Sequence, residues 1–213
     1  MAAKKKTPEV SLGLLVAAAV WLDMLWPILL LLGIERVEVD PGNTRFTPLN
    51  FVYYPWTHSL VMALVWSAAF AFALSPRVRR PIARVLLAAL VFSHWILDFI
   101  THRADLPLWP DHAPKVGLGL WNSIVGTIAI EGAMFVAGVW IYIRTTRAGD
   151  RIGRYAFWAF VIFCAIVWLG DLGSEPPPDP RIIAWVALSG WLLPLWAWWA
   201  DRHRRVNVDA GRG

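Results

Sequence analysis

Long apolar blocks dominate the sequence, and polar residues are concentrated in the breaks between the blocks. A membrane-spanning helix needs about 20 mostly apolar residues. Proline does not continue a helix with full hydrogen bonding, and prolines mark the breaks at Ser75-Pro76-Arg77 and from Ser174 to Pro180. The pattern predicts an all-α polytopic membrane protein, a six-helix transmembrane bundle that forms a single integral membrane domain over residues 1–213. The predicted spans lie at 10–34, 57–74, 81–100, 120–143, 155–172 and 182–200.

The composition places the chain in the same class. Hydrophobic residues make up 58% of the 213 residues and charged residues 16%, whereas an average soluble domain has about 25% charged residues. This balance excludes a disordered chain and an ordinary soluble enzyme. The 15 tryptophans also fit a membrane protein, because tryptophan concentrates at the bilayer interfaces. The lipid bilayer is therefore the first expected partner.

The basic residues predict the orientation, since cytoplasmic loops are enriched in lysine and arginine. With the N-terminus inside, 15 of the 20 lysines and arginines fall in inner segments and 5 in outer segments. Topology thus accounts for the formal net charge of +5, and no nucleic-acid partner is expected. Both termini are predicted to be cytoplasmic, with a basic cytoplasmic tail at 201–213. Hydrophobicity that continues through Leu32 favours an uncleaved first helix over a signal peptide.

Six ionisable residues lie inside the apolar blocks or at their edges. They are Asp23, His58, His94, Asp98, His102 and Glu131. An ionisable side chain at the centre of a membrane helix costs about 2.5–3.5 kcal/mol on insertion scales, so residues retained there are functional candidates. In the predicted orientation all six fall in the outer half of the membrane or at its outer edge. This agreement predicts one shared polar site.

The spacing in the third block indicates a metal site. His94, Asp98 and His102 are four residues apart, so they would share one face of a helix. Asp23 and His58 are placed to complete the ligand set from other helices. Neutral imidazoles with carboxylates suit a divalent metal, most of all Zn²⁺, with Mn²⁺ and Fe²⁺ as alternatives.

Structural explanations stay open for several of these residues. His58 or His102 taken alone is more often an interfacial histidine in contact with water. His94 with Asp98 could be a hydrogen-bonded pair that fixes helix packing. Glu131 could hydrogen-bond to a neighbouring helix or act as a general base, and the sequence does not separate these roles.

A proline in the first block predicts a kink. Pro27 lies four residues after Asp23 and so leaves the Asp23 carbonyl without its helical donor. The first helix would bend there and expose the unpaired Asp23 carbonyl beside the carboxylate. Such a break is tolerated where a helix lines a cavity. The alternative is that Pro27 is one of the prolines common in membrane helices.

Short motifs around these residues resemble a known bacterial family. They are Thr57-His58-Ser59-Leu60, Ser93-His94-Trp95-Ile96-Leu97-Asp98-Phe99-Ile100-Thr101 and Leu108-Trp109-Pro110. Over about residues 20–125 the chain is similar to the YdjM-like family of predicted bacterial membrane-bound metal-dependent hydrolases, also described as LexA-binding inner-membrane proteins. The resemblance implies a multi-pass protein of the bacterial inner membrane whose metal ligands are Asp23, His58, His94 and Asp98.

The chain departs from the family pattern at two places. The family usually has a His-Arg pair before its Thr-His-Ser, where this chain has Tyr54-Pro55-Trp56. It also often has a Pro-Asp-x-Asp near the first helix, where Asp23 stands alone. His102 and Glu131 could replace the missing ligands. Otherwise the site would bind one metal ion where relatives bind two, or none.

The leading hypothesis is a membrane-embedded metal-dependent hydrolase with Asp98 and Glu131 as catalytic residues. A bound divalent ion lowers the pKa of a water ligand toward ~7, and Glu131 or Asp98 could accept the released proton. The substrate would be an ester or phosphoester that enters from the outer side of the membrane. A lipid-like substrate fits the depth of the site.

Two hypotheses of other classes compete with hydrolysis. The intramembrane acids and His94 could form a proton- or cation-coupled transport relay, although the sequence shows no inverted repeat of the kind that many transporters carry. The polar groups could instead hold helices together in a non-catalytic scaffold. The substrate, the identity and number of metal ions and the oligomeric state do not follow from the sequence.

Overall fold

The computed structural model describes residues 1–74, 78–111, 114–170, 172 and 179–207. Helices dominate these residues, as the apolar pattern predicts. They are α1 (Leu12–Ala19), α2 (Trp21–Leu31), α3 (Pro55–His58), α4 (Leu60–Ala73), α5 (Pro81–Thr101), α6 (Ile124–Thr145), α7 (Arg151–Gly170), α8 (Pro180–Leu188) and α9 (Leu192–Arg202). Outside the described residues lie the predicted break at 75–77, positions 174–178 of the predicted break at 174–180, position 171 of the fifth predicted span, and positions 208–213 of the predicted tail at 201–213.

Several helices are long and apolar enough to cross a membrane. Among the described residues these are α5, α6, α7 and the stretch Pro180–Arg202, in which a 3₁₀ turn at Ser189–Trp191 joins α8 to α9. A fifth span results if α1 and α2, which meet at a bend of 57°, cross the membrane together. The described part of the chain therefore contains four or five candidate membrane spans.

The second predicted span is shorter than expected. Residues Pro55–His58 form the four-residue helix α3, Ser59 has an extended backbone, and α4 then has 14 residues. The Ser59 hydroxyl caps α4 by accepting the N–H of Met62, which fixes the break directly after His58. A span needs about 20 residues, so the sixth span and the cytoplasmic placement of both termini stay predictions.

The first apolar block bends at Val20, seven residues before the predicted kink at Pro27. Val20 has φ −111° and ψ 20°, and α2 runs without a break from Trp21 through Pro27 to Leu31. Pro27 removes one hydrogen bond to the first turn of α2, and the helix continues past it. The bend places Asp23 in the first turn of α2 and makes Ala19 the last residue of α1.

Three short antiparallel sheets, which the all-α prediction omitted, connect helix ends. They are β1 (Arg36–Val39) with β2 (Leu49–Tyr53), β3 (Leu106–Pro107) with β4 (Lys115–Val116), and β5 (Thr146–Ala148) with β6 (Arg204–Val206). In the first sheet Arg36 lies opposite Tyr53. Because β2 leads directly into α3, this hairpin helps to position His58.

Two clusters of buried apolar side chains hold the helices together. The larger joins α1, α2, α4 and α5, with Leu22 and Leu87 fully buried. The smaller packs α1 against α6, α7 and α9 through residues such as Leu12 and Phe157. Many large apolar side chains of α6 and α7 are exposed, which is the arrangement expected where a helix faces lipid.

A buried ion pair closes the end of the bundle that carries the N-terminus. The Lys4 ammonium lies 2.8 Å from Asp201 Oδ2 and also donates to the Val10 carbonyl. Asp201 further accepts the N–H of Leu12 and the hydroxyl of Tyr142. One carboxylate thus ties the N-terminal segment, α1 and α6 to α9.

Candidate metal centre

Side chains from three helices converge where α2, α3 and α5 meet. One ligand atom each from Asp23, His58 and His94 can be chosen so that all lie within 4.8 Å of one another. Asp23 Oδ1 lies 3.4 Å from His58 Nε2, and Asp23 Oδ2 lies 3.5 Å from His94 Nε2. Two imidazole nitrogens and a carboxylate at this spacing form a donor set suited to a divalent ion.

Asp98 belongs to the same cluster from one turn further along α5. Its Oδ2 lies 3.5 Å from His94 Nε2 and 3.9 Å from His58 Nε2. The residue is 9% exposed, and Oδ2 has no hydrogen-bond partner among the described residues. A buried carboxylate oxygen without a donor is costly, and a cation or a cation-bound water at this point would remove the cost.

The bend between α1 and α2 sets the orientation of the His94 ring. The last carbonyls of a helix lack intrahelical partners, and the carbonyl of Ala19 lies 2.9 Å from His94 Nδ1. A carbonyl only accepts, so Nδ1 carries the proton and donates. In the neutral ring the lone pair is then on Nε2, which faces Asp23 and Asp98. Fixing the tautomer through the other ring nitrogen is the arrangement that metal-bound histidines use.

A chain of hydrogen bonds from Glu35 through Thr57 orients His58. Thr57 donates its N–H to Glu35 Oε1 at 2.9 Å and its hydroxyl to Glu35 Oε2 at 2.7 Å. With that hydroxyl proton engaged, the Thr57 oxygen accepts from His58 Nδ1 at 2.6 Å. In the neutral ring His58 Nε2 is then the unprotonated nitrogen, and it faces the two aspartates. Burial raises the pKa of the Glu35 carboxyl, and the hydrogen bonds from Thr57 act in the opposite direction.

The hydrogen bonds that orient His94 and His58 leave proton acceptors facing one another across the cluster. With both rings neutral, the unprotonated nitrogens of His58 and His94 point at carboxylate oxygens of Asp23 and Asp98, and neither kind of atom is a donor. Protons or a bound cation must separate them. The donor set of two nitrogens and two carboxylates is one that Zn²⁺ accepts, and Asp23, with its side chain 56% exposed, leaves the cluster open on one side.

Comparison with known proteins identifies the family. A model of the YdjM inner membrane protein family matches residues 44–172. The chain belongs to the YdjM inner membrane protein family. This confirms the resemblance inferred from the short motifs, and the matched region contains His58, His94 and Asp98, while Asp23 precedes it. No curated protein and no solved structure matches the chain.

Family membership and the apolar helices together give the location of this YdjM family member. The family is one of inner membrane proteins, and four or five helices are suited to crossing a bilayer. The protein is therefore a multi-pass inner membrane protein in association with the lipid bilayer.

The His102 side chain contacts Asp105 and Tyr54 and, among the described residues, is not part of the Asp23–His58–His94 group. Helix α5 ends at Thr101, and His102 caps it with an extended backbone at φ −65° and ψ 149°. Its Nδ1 lies 3.0 Å from Asp105 Oδ1. The ring of Tyr54 has its centroid 5.5 Å from that of His58 and 5.9 Å from that of His102, so tyrosine stands between the two histidines.

The groups around His102 form a separate polar cluster. Burial raises the pKa of the Asp105 carboxyl, but hydrogen bonds from His102, Tyr54 and Arg103 outweigh burial and hold this pKa below its usual range. Burial and the nearby carboxylates of Asp105 and Asp98 raise the pKa of the Tyr54 hydroxyl well above its usual value. This cluster packs behind His58 through Tyr54, and no described contact joins it to Asp23 or His94.

Glu131 also lies apart from the four-residue cluster. Its Oε1 accepts the indole N–H of Trp121 at 3.0 Å, and its Oε2 accepts that of Trp168 at 2.6 Å. The carboxylate thus links α6 to α7, which is the helix-bridging role that the sequence left open. Its predicted role as a proton acceptor gains no support from these contacts.

The supporting residues Ala19, Glu35 and Thr57 were not among the predicted site residues. Thr57 stood in the quoted motif beside His58, and Glu35 followed directly after the first apolar block. The role of Ala19 depends on a bare carbonyl at a helix end, and its side chain carries no signal of it.

Proposed function

We propose that this protein is a membrane-embedded metal-dependent hydrolase that acts on an ester or phosphoester from the outer side of the membrane. Asp23, His58 and His94 would hold one divalent ion, with Zn²⁺ as the first choice for this donor set. When bound, the ion supplies a water of lowered pKa. Three protein ligands with one open position are the usual arrangement of a catalytic zinc site, whereas structural sites use four.

Asp98 would act as the proton acceptor. The observation that carries the proposal is its buried Oδ2, which has no donor among the described residues and lies 3.5 Å from His94 Nε2. An acceptor held this close to the ligand nitrogens is within reach of a water bound at the same point. The Ala19 carbonyl and the Glu35–Thr57 pair would hold the two imidazoles in the metal-binding tautomer, and the exposed side of Asp23 would admit the substrate.

Elemental analysis of the purified protein tests the proposal. We expect about one divalent ion per chain in the wild type and its loss in His94→Ala, because three ligands hold the ion. His203→Ala is the matched control, since His203 pairs with the Asp150 carboxylate away from the cluster. Hydrolysis of a panel of esters and phosphoesters should disappear in His94→Ala and in Asp98→Asn and persist in His203→Ala. A wild type without divalent metal, whose activity His94→Ala does not change, would refute the proposal.

A further inference from the structure

A cavity of about 620 Å³ adjoins the exposed side of Asp23. This volume lies within the range of about 300–1,000 Å³ found for small-molecule sites. Its walls come from α2, the start of β2, α7 and the α8–α9 stretch, with apolar side chains such as Met24, Ile183, Val186 and Leu193. Among the described residues that line it, Asp23 is the only ionisable one.

The walls of the cavity are fixed by specific contacts. The indole N–H of Trp191, in the 3₁₀ turn between α8 and α9, donates to the Met24 carbonyl at 2.9 Å. The Trp191 ring also lies edge-on to Trp21, with 6.1 Å between the ring centroids. These contacts hold the 3₁₀ turn between α8 and α9 against α2 at Met24, the residue that follows Asp23. The cavity is therefore a built feature of the packing of α2 against α8 and the 3₁₀ turn that follows it.

The surroundings of the cavity point to an apolar ligand. One wall belongs to the candidate span Pro180–Arg202, whose apolar residues are largely exposed, with Val186 at 66% and Leu192 at 64%. In an inner membrane protein such residues face lipid chains. A cavity with mainly apolar walls holds water poorly, and the surrounding bilayer supplies apolar chains at high concentration. An acyl chain is the ligand that this environment offers.

The polar end of such a ligand would meet the metal centre. Asp23 lines the cavity and at the same time lies 3.4 Å from His58 Nε2 and 3.5 Å from His94 Nε2. A chain that fills the cavity would therefore bring the bond between its chain and its headgroup to the cluster. We propose that this cavity binds the acyl chain of a membrane lipid, an inference that rests on the proposed hydrolase function and names its substrate class. Hydrolysis would add one water across the ester or phosphoester bond and release an alcohol and an acid.

Photo-crosslinking tests the proposal without relying on turnover. The probe is a phosphatidylethanolamine with a diazirine in its acyl chain, incorporated into proteoliposomes with the full chain, and the labelled peptides are mapped by mass spectrometry. We expect labelling of the wild type at the peptides that contain Met24 and Ile182–Val186. The metal content of the same samples is measured in parallel.

Gly190→Leu is the variant that blocks the cavity. Gly190 lines it, and a Cβ at this position would meet no atom within 4 Å. A leucine can therefore be added without a clash at its Cβ, and its side chain would occupy part of the cavity. We expect about tenfold less labelling of the cavity peptides, since leucine displaces two or more methylene groups of the chain. Gly170→Leu is the matched control, because a Cβ there also meets no atom within 4 Å and Gly170 is not among the cavity-lining residues.

The outcomes separate the cavity proposal from the proposed function. Equal labelling in Gly190→Leu and Gly170→Leu, or labelling confined to the exposed faces of α6, would overturn the acyl-chain site even if the protein binds metal. Labelling localised to the cavity and reduced by Gly190→Leu would support the site. If such a sample contained no divalent metal, the hydrolase proposal would fail while the lipid-binding cavity stood.

Discussion

The hydroxyl of Thr57 provides a direct test of how the metal centre is held in shape. Thr57→Val keeps the size and the β-branch of the side chain and removes the oxygen that lies between Glu35 and His58. Two short contacts disappear, at 2.7 Å to Glu35 Oε2 and at 2.6 Å to His58 Nδ1, together with a long one of 3.5 Å to the Tyr54 carbonyl. The N–H of residue 57 still reaches Glu35 Oε1. Both Glu35 and Thr57 are buried, so water does not replace the lost oxygen easily.

Two separate effects should follow, one on metal affinity and one on stability. Loss of a partner that orients a metal-bound histidine costs about 10- to 100-fold in metal affinity, which corresponds to about 1.4–2.7 kcal/mol. A buried carboxylate oxygen left without a donor costs about 1–3 kcal/mol in stability. We therefore expect Thr57→Val to weaken Zn²⁺ binding and to lower the midpoint of thermal unfolding in detergent. Thr57→Ser keeps the hydroxyl and should restore most of the affinity.

Competition with a chromogenic chelator measures the Zn²⁺ affinity. Thr145→Val is the matched control, since this equally buried threonine donates to the Ile141 carbonyl within its own helix and lies far from the cluster in the chain. It should change stability slightly and leave the affinity as in the wild type. Equal Zn²⁺ affinities for Thr57→Val and the wild type would show that the hydroxyl does not orient His58. The role assigned to Glu35 and Thr57 in metal binding would then be wrong.

Two further predictions concern polar groups outside the metal centre. Lys4→Ala breaks the buried pair with Asp201 and should lower the free energy of unfolding by about 3–5 kcal/mol, measured by denaturant titration in detergent. Lys6→Ala, in the same segment but exposed, should have little effect. Equal stabilities of the two variants would contradict a stabilising role of the Lys4–Asp201 pair. The pKa of Asp105 is held below its usual range, so its contribution to stability is present above the unfolded pKa of about 3.9 and is lost as pH falls toward the folded value. Asp105→Asn should therefore be less stable than the wild type at pH 7, and the difference should shrink below pH ~4; a difference that does not change with pH would exclude this linkage.

The sequence was most informative where a residue type is costly in its surroundings. Asp23, His58, His94 and Asp98 stood out because charges inside apolar blocks need compensation, and the structure brings these four side chains together. His102 has the same spacing, but its ring contacts Asp105 and Tyr54 instead, because eight residues of helix separate it from His94 by about 12 Å along the axis.

Features that depend on contacts between distant segments could not be predicted. The partners Ala19 and His94 are 75 residues apart, and Glu35 and Thr57 are 22 apart. Nothing in either local pattern indicates that the segments meet. The bend at Val20 has the same origin, since no proline or glycine marks it and the apolar run continues across it. Packing of α1 and α2 against other helices decides the position of the bend.

That bend also has an electrostatic consequence. The first N–H groups of a helix carry the positive end of its dipole, which stabilises a nearby carboxylate by about 0.3–1 kcal/mol at exposed sites and more where it is partly buried. Because α2 begins at Trp21, Asp23 lies within this positive region. A straight helix from residue 12 to residue 31 would place the same aspartate in the middle, with no such field. One break in the chain thus lowers the electrostatic cost of the carboxylate and supplies the acceptor that aligns His94.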